Sequence, residues 1–274
     1  MLETVPEPFF MQGVAGPVFA LYQPAEGQTR GAFLFLPPFA EEMNRCRATV
    51  AAQARAFSRI GYASLLLDPF GTGDSGGNLD DATWDIWERD AILAADWLSQ
   101  RTGVSVALWG LRLGALLAAA TAEHLPGRFQ HLLLWQPVLD GKLFLTQYLR
   151  LRVANLMDRN LPPETTEEMR AALNAGRILE VAGYPIAGPL ARSLDRTRLG
   201  DLIQLKDLAV DWFELVSEQG KSLAPASQKA IAQLSGQGCE VTANSFTGPA
   251  IWQLHKRDDV PELVSLTTAR FRRE

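Results

Sequence analysis

Short, largely apolar runs alternate along the chain with longer segments whose apolar residues recur at helical spacing. The runs at residues 32–36, 62–67, 104–109, 131–135 and 210–216 are near-continuous, the first stopping at Pro37 and the third at Gly110. Runs of this kind predict strands buried on both faces, as in a parallel sheet. A more polar run at 240–246 predicts a last strand. The intervening periodicity predicts helices near 49–60, 84–98, 113–122 and 226–234, and a C-terminal helix over 261–271. Asp81 and Thr83 are available to cap the second of these. Residues 9–22 alternate loosely around Gly13, Gly16 and Pro17, which predicts an antiparallel hairpin at a sheet edge. Residues 39–47 read as a loop.

Strand and helix in strict alternation imply α/β architecture: a mostly parallel sheet, right-handed crossovers, and helices on both faces. That rhythm breaks between 143 and 204. The segment is helix-like and mixed in charge, with Pro162-Pro163, Tyr184-Pro185 and Gly188-Pro189 as breaks and no clear strand run. It predicts a helical cap inserted over the strand ends. The expected division is a core of residues 1–140 and 206–274, with a cap of 141–205.

The run Val104-Ser-Val-Ala-Leu-Trp109 carries the chemistry of the sequence. It passes through Gly110-Leu-Arg-Leu-Gly114 directly into an alanine-leucine helix. Strand, sharp turn and helix make a nucleophile elbow, where G-x-S-x-G normally sets a serine at the apex. The flanking glycines suit a tight turn in which the helix and strand backbones crowd each other. Here the apex residue is Arg112.

Composition narrows the picture only slightly. With 274 residues, 47% of them hydrophobic and 21% charged, the chain is an ordinary globular protein with room for an insertion. A net charge of -5 speaks against nucleic-acid binding. The longest largely apolar run, 113–122, is half of the roughly 20 residues a bilayer span needs, so no transmembrane segment is expected. The acidic N-terminus lacks the basic region of a signal peptide, and the expected location is cytoplasmic. Cys46 and Cys239 form no metal-ligand spacing and read as isolated reduced thiols, although a pairing is open in principle. The glycine-dense loop 71–77 is followed by no Gly-Lys-Ser/Thr, which argues against a phosphate-binding P-loop. No cofactor and no metal are expected.

Taken in order, the chain resembles the α/β-hydrolase superfamily over essentially its whole length. The marks are the elbow and Asp68-x-x-Gly71-x-Gly73-x-Ser75 one strand earlier. Pro37-Pro-Phe-Ala-Glu-Glu-Met-Asn-Arg45, Asp68-Pro-Phe-Gly-Thr-Gly-Asp-Ser75 and Trp109-Gly-Leu-Arg-Leu-Gly114 together are similar to the exosortase A system-associated hydrolase 2 family. That resemblance implies a bacterial setting beside exopolysaccharide and protein-sorting genes, with a partner from such a system.

A hydrolase of this fold needs a nucleophile, an acid and a histidine in that order. Arg112, at the first place, is always protonated and has no lone pair with which to attack. In the acid loop, Val216-Ser-Glu-Gln-Gly-Lys-Ser-Leu-Ala-Pro225, the acid's place falls near Lys221, with Glu218 the nearest carboxylate. After the last strand, Phe246-Thr-Gly-Pro-Ala250 stands where Gly-x-Gly-His is usual. His255 follows, either as a displaced base or as an ordinary surface histidine, whereas His124 and His131 read as structural. Three departures together imply that serine-hydrolase chemistry has been lost.

The oxyanion donors would be the N–H of Leu113 and, because Pro37 and Pro38 lack one, that of Phe39 or Ala40. Arg112 would stand above the strand ends, where open α/β sheets bind ligands. It has two readings: a fork for a ligand carboxylate or phosphate, or an ion pair with Glu41 or Glu42 that plugs the pocket. Cys46, between Arg45 and Arg47, is either a thiol of lowered pKa or a half-buried structural residue. Trp252 is a candidate pocket wall. The expected ligand is small and acidic or acyl-bearing. The alternative is a hydrolase of an ester, thioester or acyl group with a non-standard site.

Overall fold

The computed structural model describes residues 4–253 and 258–272. Its centre is an eight-stranded sheet. The hairpin β1 (Glu7–Gln12) and β2 (Pro17–Gln23) opens it at one edge, and both pairings of β2 are antiparallel. Then come β3 (Gly31–Leu36), β4 (Tyr62–Leu67), β5 (Val106–Leu111) and β6 (His131–Trp135), all parallel. A small hairpin, β7 (Leu179–Val181) and β8 (Tyr184–Ile186), stands apart from the sheet. The last two strands of the sheet are β9 (Ala209–Leu215) and β10 (Glu240–Phe246), parallel to their neighbours. The spatial order is β1-β2-β4-β3-β5-β6-β9-β10.

Side chains alternate across this sheet, and both faces are apolar. Leu34, Leu36, Leu108, Leu132 and Leu134 enter one core; Phe33, Phe35, Trp109, Leu133 and Trp135 enter the other. The first core is closed by α2 (Trp84–Thr102) and α3 (Leu113–His124). The second is closed by α1 (Glu41–Arg59) and α8 (Pro261–Arg272), with Phe57 stacked on Phe33 and Phe271 edge-on to both. Thr83 caps α2 by accepting from the Ile86 N–H, whereas Asp81 closes the turn before it.

The cap holds α4 (Gly141–Asp158), α5 (Thr166–Asn174), the β7–β8 hairpin and α6 (Gly188–Arg196). Its two roots are pinned side by side. Asp140 caps α4 and also receives the Arg198 guanidinium at 2.9 Å, while the Leu199 N–H donates to the Leu139 carbonyl. The remaining helix of the core, α7 (Pro225–Gly236), links β9 to β10. Among the described residues no helix is long and apolar enough to cross a membrane.

Two local expectations are corrected. Residues 41–47, read as loop, are the first turns of α1. The cap, expected to be free of strands, contains the β7–β8 hairpin, turned through Ala182 and Gly183 with φ of 52° and 85°. Two positive φ values in a two-residue turn match the twist of the flanking strands.

Candidate functional site

The apex of the elbow is held by its surroundings. Arg112 has φ 56° and ψ -119°, and its N–H donates to the Trp135 carbonyl on the adjacent strand. Its own carbonyl accepts from Val138 and Ala115. Both neighbouring glycines are required by space. A Cβ on Gly110 would lie 2.4 Å from the Ala115 Cα, and one on Gly114 would lie 2.1 Å from the Leu36 carbonyl oxygen. α3 therefore crosses the end of β3 at backbone contact.

A second turn of the same shape follows β3. Pro37 and Pro38 end the strand, and Ala40 starts α1 with φ 50° and ψ -123° and no side-chain cap. Its conformation aims the first turn of α1 at the elbow. Arg112 Nε lies 3.3 Å from both carboxylate oxygens of Glu42, and Nη2 lies 3.1 Å from Oε1. The side chains are 17% and 12% exposed, so the pair is largely removed from water. The Arg112 guanidinium also lies 5.3 Å from the ring centroid of Trp252. Arg45 donates to the Trp252 carbonyl at 3.1 Å and fixes that residue from below.

Charge here is strongly conditioned by burial. Desolvation raises the Glu42 carboxyl above the ordinary range, and the Arg112 guanidinium only partly offsets it. Burial likewise raises Glu41, against weaker opposition from its own backbone N–H and from Arg45. One Glu41 oxygen is buried and has no hydrogen-bond partner among the described residues.

These residues floor a cleft of about 530 Å³. Glu41, Glu42, Arg45, Arg112, Phe39 and Trp252 belong to the core, and α4 supplies the opposite wall through Phe144, Tyr148, Leu151 and Ala154. Phe39 stands edge-on to Tyr148 and to Phe144, at 4.9 and 5.9 Å. The Tyr148 hydroxyl donates to the Val181 carbonyl, which fixes the cap wall to β7. The site is thus an aromatic cleft with two guanidinium groups, Arg112 forked onto Glu42 and Arg45 beside it, and three acidic side chains, Glu41, Glu42 and Asp158.

The sequence-derived candidates divide clearly. Arg112, Glu41, Glu42, Arg45, Phe39 and Trp252 meet in the cleft. Leu113, at the first position of α3, and Ala40 lie directly behind it against Pro37, Pro38, Trp84 and Trp87. Glu218 and Lys221 are exposed on the loop after β9, where Lys221 Nζ contacts Ser217 Oγ at 2.8 Å, and neither lines the cleft. His255 lies outside the described residues. Cys46 is fully buried on α1. Burial, and then Glu42, raise its thiol, the opposite of what flanking arginines suggest. Ser75 is a turn residue, accepting from the Phe19 N–H at 2.8 Å. Phe144 and Tyr148 were not legible as site residues, because nothing in a helical stretch says which wall it will form. Among the described residues no cluster of His, Cys, Asp or Glu is arranged to hold a metal ion.

No protein-family model matches this sequence, and no curated protein matches it. Solved structures do. Est1E from Butyrivibrio proteoclasticus, in complex with ferulic acid, aligns with TM-score 0.63 and 14% identity over 97% of this chain and 96% of its own. DcsB in complex with a substrate analogue aligns with TM-score 0.64 and 15% identity over 98% and 99%. An alpha-beta serine hydrolase homologue from Coxiella burnetii aligns with TM-score 0.56 and 15% identity over 99% of each chain. At such identities the likeness is one of architecture, and with the strand order and elbow above it gives the conclusion that the chain has the α/β-hydrolase fold.

Proposed function

We propose that this protein binds an acidic or acyl-bearing small molecule in the elbow cleft and has lost serine-hydrolase chemistry. The observation that carries the reading is Arg112 at the apex, in an elbow whose backbone is otherwise fully formed, forked onto Glu42. A guanidinium cannot attack a carbonyl. It can hold a carboxylate or phosphate through two parallel N–H donors. In the resting protein Glu42 fills that role, and a ligand anion would take its place while its apolar part lies against Phe144, Tyr148 and Leu151.

Binding calorimetry with decanoate, and with inorganic phosphate as a compact anion, tests this reading. Wild type should bind at least one of them, and Arg112→Ala should bind about tenfold or more weakly, as loss of a forked charge-assisted contact implies. Equal affinity in the two proteins would refute it.

A second reading, an ester, thioester or acyl hydrolase with a non-standard base, is supported by one observation. Glu41 is a half-buried carboxyl with a raised pKa and one buried, unpartnered oxygen at the edge of the cleft. The resemblance to the exosortase-associated family suggests where the ligand or a protein partner would be sought, among exopolysaccharide and surface-protein sorting components, with the protein on the cytoplasmic side.

A further inference from the structure

The cap helix α4 is apolar on both sides. Its inward face is fully used: Phe144, Leu145, Tyr148, Leu149 and Leu156 are buried. Its outward face carries Leu143 and Met157, which are 63% and 67% exposed, Leu151 at the cleft edge is 41% exposed, and Leu161 just beyond the helix end is 45% exposed. Leu143, Gln147, Arg150, Ala154 and Met157 recur at intervals of three and four, so they form one stripe along the helix. Large apolar side chains left exposed together on one surface mark a face that meets a partner or a membrane. Here the protein covers only half of the helix.

Charge on this face selects what covers the rest. Arg150 is exposed on the stripe itself, and Lys142 and Arg159 are exposed at the two ends of the helix; none of the three forms an ion pair among the described residues, unlike Arg152, which is forked onto Glu164. The one acid of α4 is Asp158. The chain as a whole is acidic, at -5, so this is a local basic surface on an acidic protein. Arg150 also sits midway between Leu143 and Met157. A second copy packed antiparallel on the stripe would set Arg150 against Arg150, which disfavours a symmetric dimer.

We propose that the outward face of α4 docks the cap onto an anionic lipid surface. Leu143, Met157 and Leu161 enter the boundary between headgroups and acyl chains, while Lys142, Arg150 and Arg159 meet lipid phosphates. Attachment is peripheral and reversible. Because Leu151 and Ala154 also line the elbow cleft, docking brings the cleft mouth to the lipid interface. The proposal rests on the cap surface alone and does not depend on the ligand reading of Arg112.

Co-sedimentation of the full-length protein with extruded vesicles tests it. Wild type should pellet with vesicles of phosphatidylcholine containing about a third phosphatidylglycerol, and remain in solution with phosphatidylcholine alone. Arg150→Glu should weaken binding by at least about fivefold, and more salt should weaken it further. Leu143→Asp with Met157→Asp should abolish binding; both sites are exposed, and an unchanged circular dichroism spectrum shows that the variant is folded. As a second readout, an environment-sensitive dye on Met157→Cys should shift to the blue with anionic vesicles only. Wild type that never pellets, or an aspartate variant that pellets like wild type, overturns the proposal. A concentration-dependent dimer that Met157→Asp abolishes, without vesicle binding, overturns it in favour of a second copy.

Discussion

Ala40 and Arg112 hold the same backbone conformation, φ 50°, ψ -123° and φ 56°, ψ -119°, at the ends of the adjacent strands β3 and β5. Each starts a helix without a side-chain cap, and Glu42 on one helix turn reaches across to Arg112 on the other. Both conformations are unfavourable for a residue with a Cβ. The two turns are held by the strands beneath and by the ion pair above.

Relieving that strain at Ala40, where only a buried methyl is given up, should stabilise the fold. Ala40→Gly is expected to raise unfolding stability by about 1 kcal/mol, since glycine accepts this φ without penalty. Urea denaturation checks it, and a loss of stability would show that the Ala40 methyl has a packing role that outweighs the strain.

The elbow glycines should tolerate nothing. Gly114→Ala forces a Cβ to 2.1 Å from the Leu36 carbonyl oxygen, where only backbone can yield. The expected loss is about 3 kcal/mol or more, at the overpacking limit for a core site. Thermal denaturation of Gly114→Ala beside Gly127→Ala, at a glycine with open space around it but a φ of 80°, separates the clash from simple backbone strain.

The Arg112–Glu42 pair should show strong coupling. Glu42→Ala leaves a guanidinium mostly out of water and is expected to cost about 2 kcal/mol. The Arg112→Ala, Glu42→Ala double variant should be more stable than the sum of the single losses predicts, by about 1 kcal/mol. Arg112→Lys should not restore the pair, because a lysine offers no fork.

Glu41 gives a pH dependence with a defined sign. Its carboxyl is raised in the folded protein, so folding favours the protonated form. The stability it contributes is full below the ordinary carboxylate range and is lost as pH rises through the raised folded value. Glu41→Gln removes that loss. The variant should match wild type at low pH and exceed it by about 1 kcal/mol near neutrality, where wild type holds an unpartnered buried carboxylate oxygen. Equal stability at both ends of the range would mean that the Glu41 charge is already satisfied.

Most of the sheet was legible because its strands are apolar on both faces, which leaves runs such as residues 32–36 with few polar interruptions. The elbow was legible because two glycines and an abrupt helix leave few other backbone paths. The start of α1 was hidden because its cap is a backbone conformation at Ala40 and not a Ser, Thr, Asp or Asn, and its first turn is polar where it faces the cleft. The β7–β8 hairpin has strands of three residues, too short to show a period. Of the two readings of Cys46 the structure gives the buried structural thiol, because arginines adjacent in sequence point elsewhere on a helix. The contacts of Phe144 and Tyr148 in the cap wall depend on how α4 lies over the core, which no local pattern encodes.

The central claim, that this elbow carries no nucleophile, is tested most directly by measuring turnover of short and long acyl esters and thioesters with purified wild type and Arg112→Ala. The account predicts no hydrolysis above the uncatalysed rate in either protein. Turnover by wild type that disappears in Arg112→Ala would contradict it, and would make the Arg112 fork a source of transition-state stabilisation in an active enzyme.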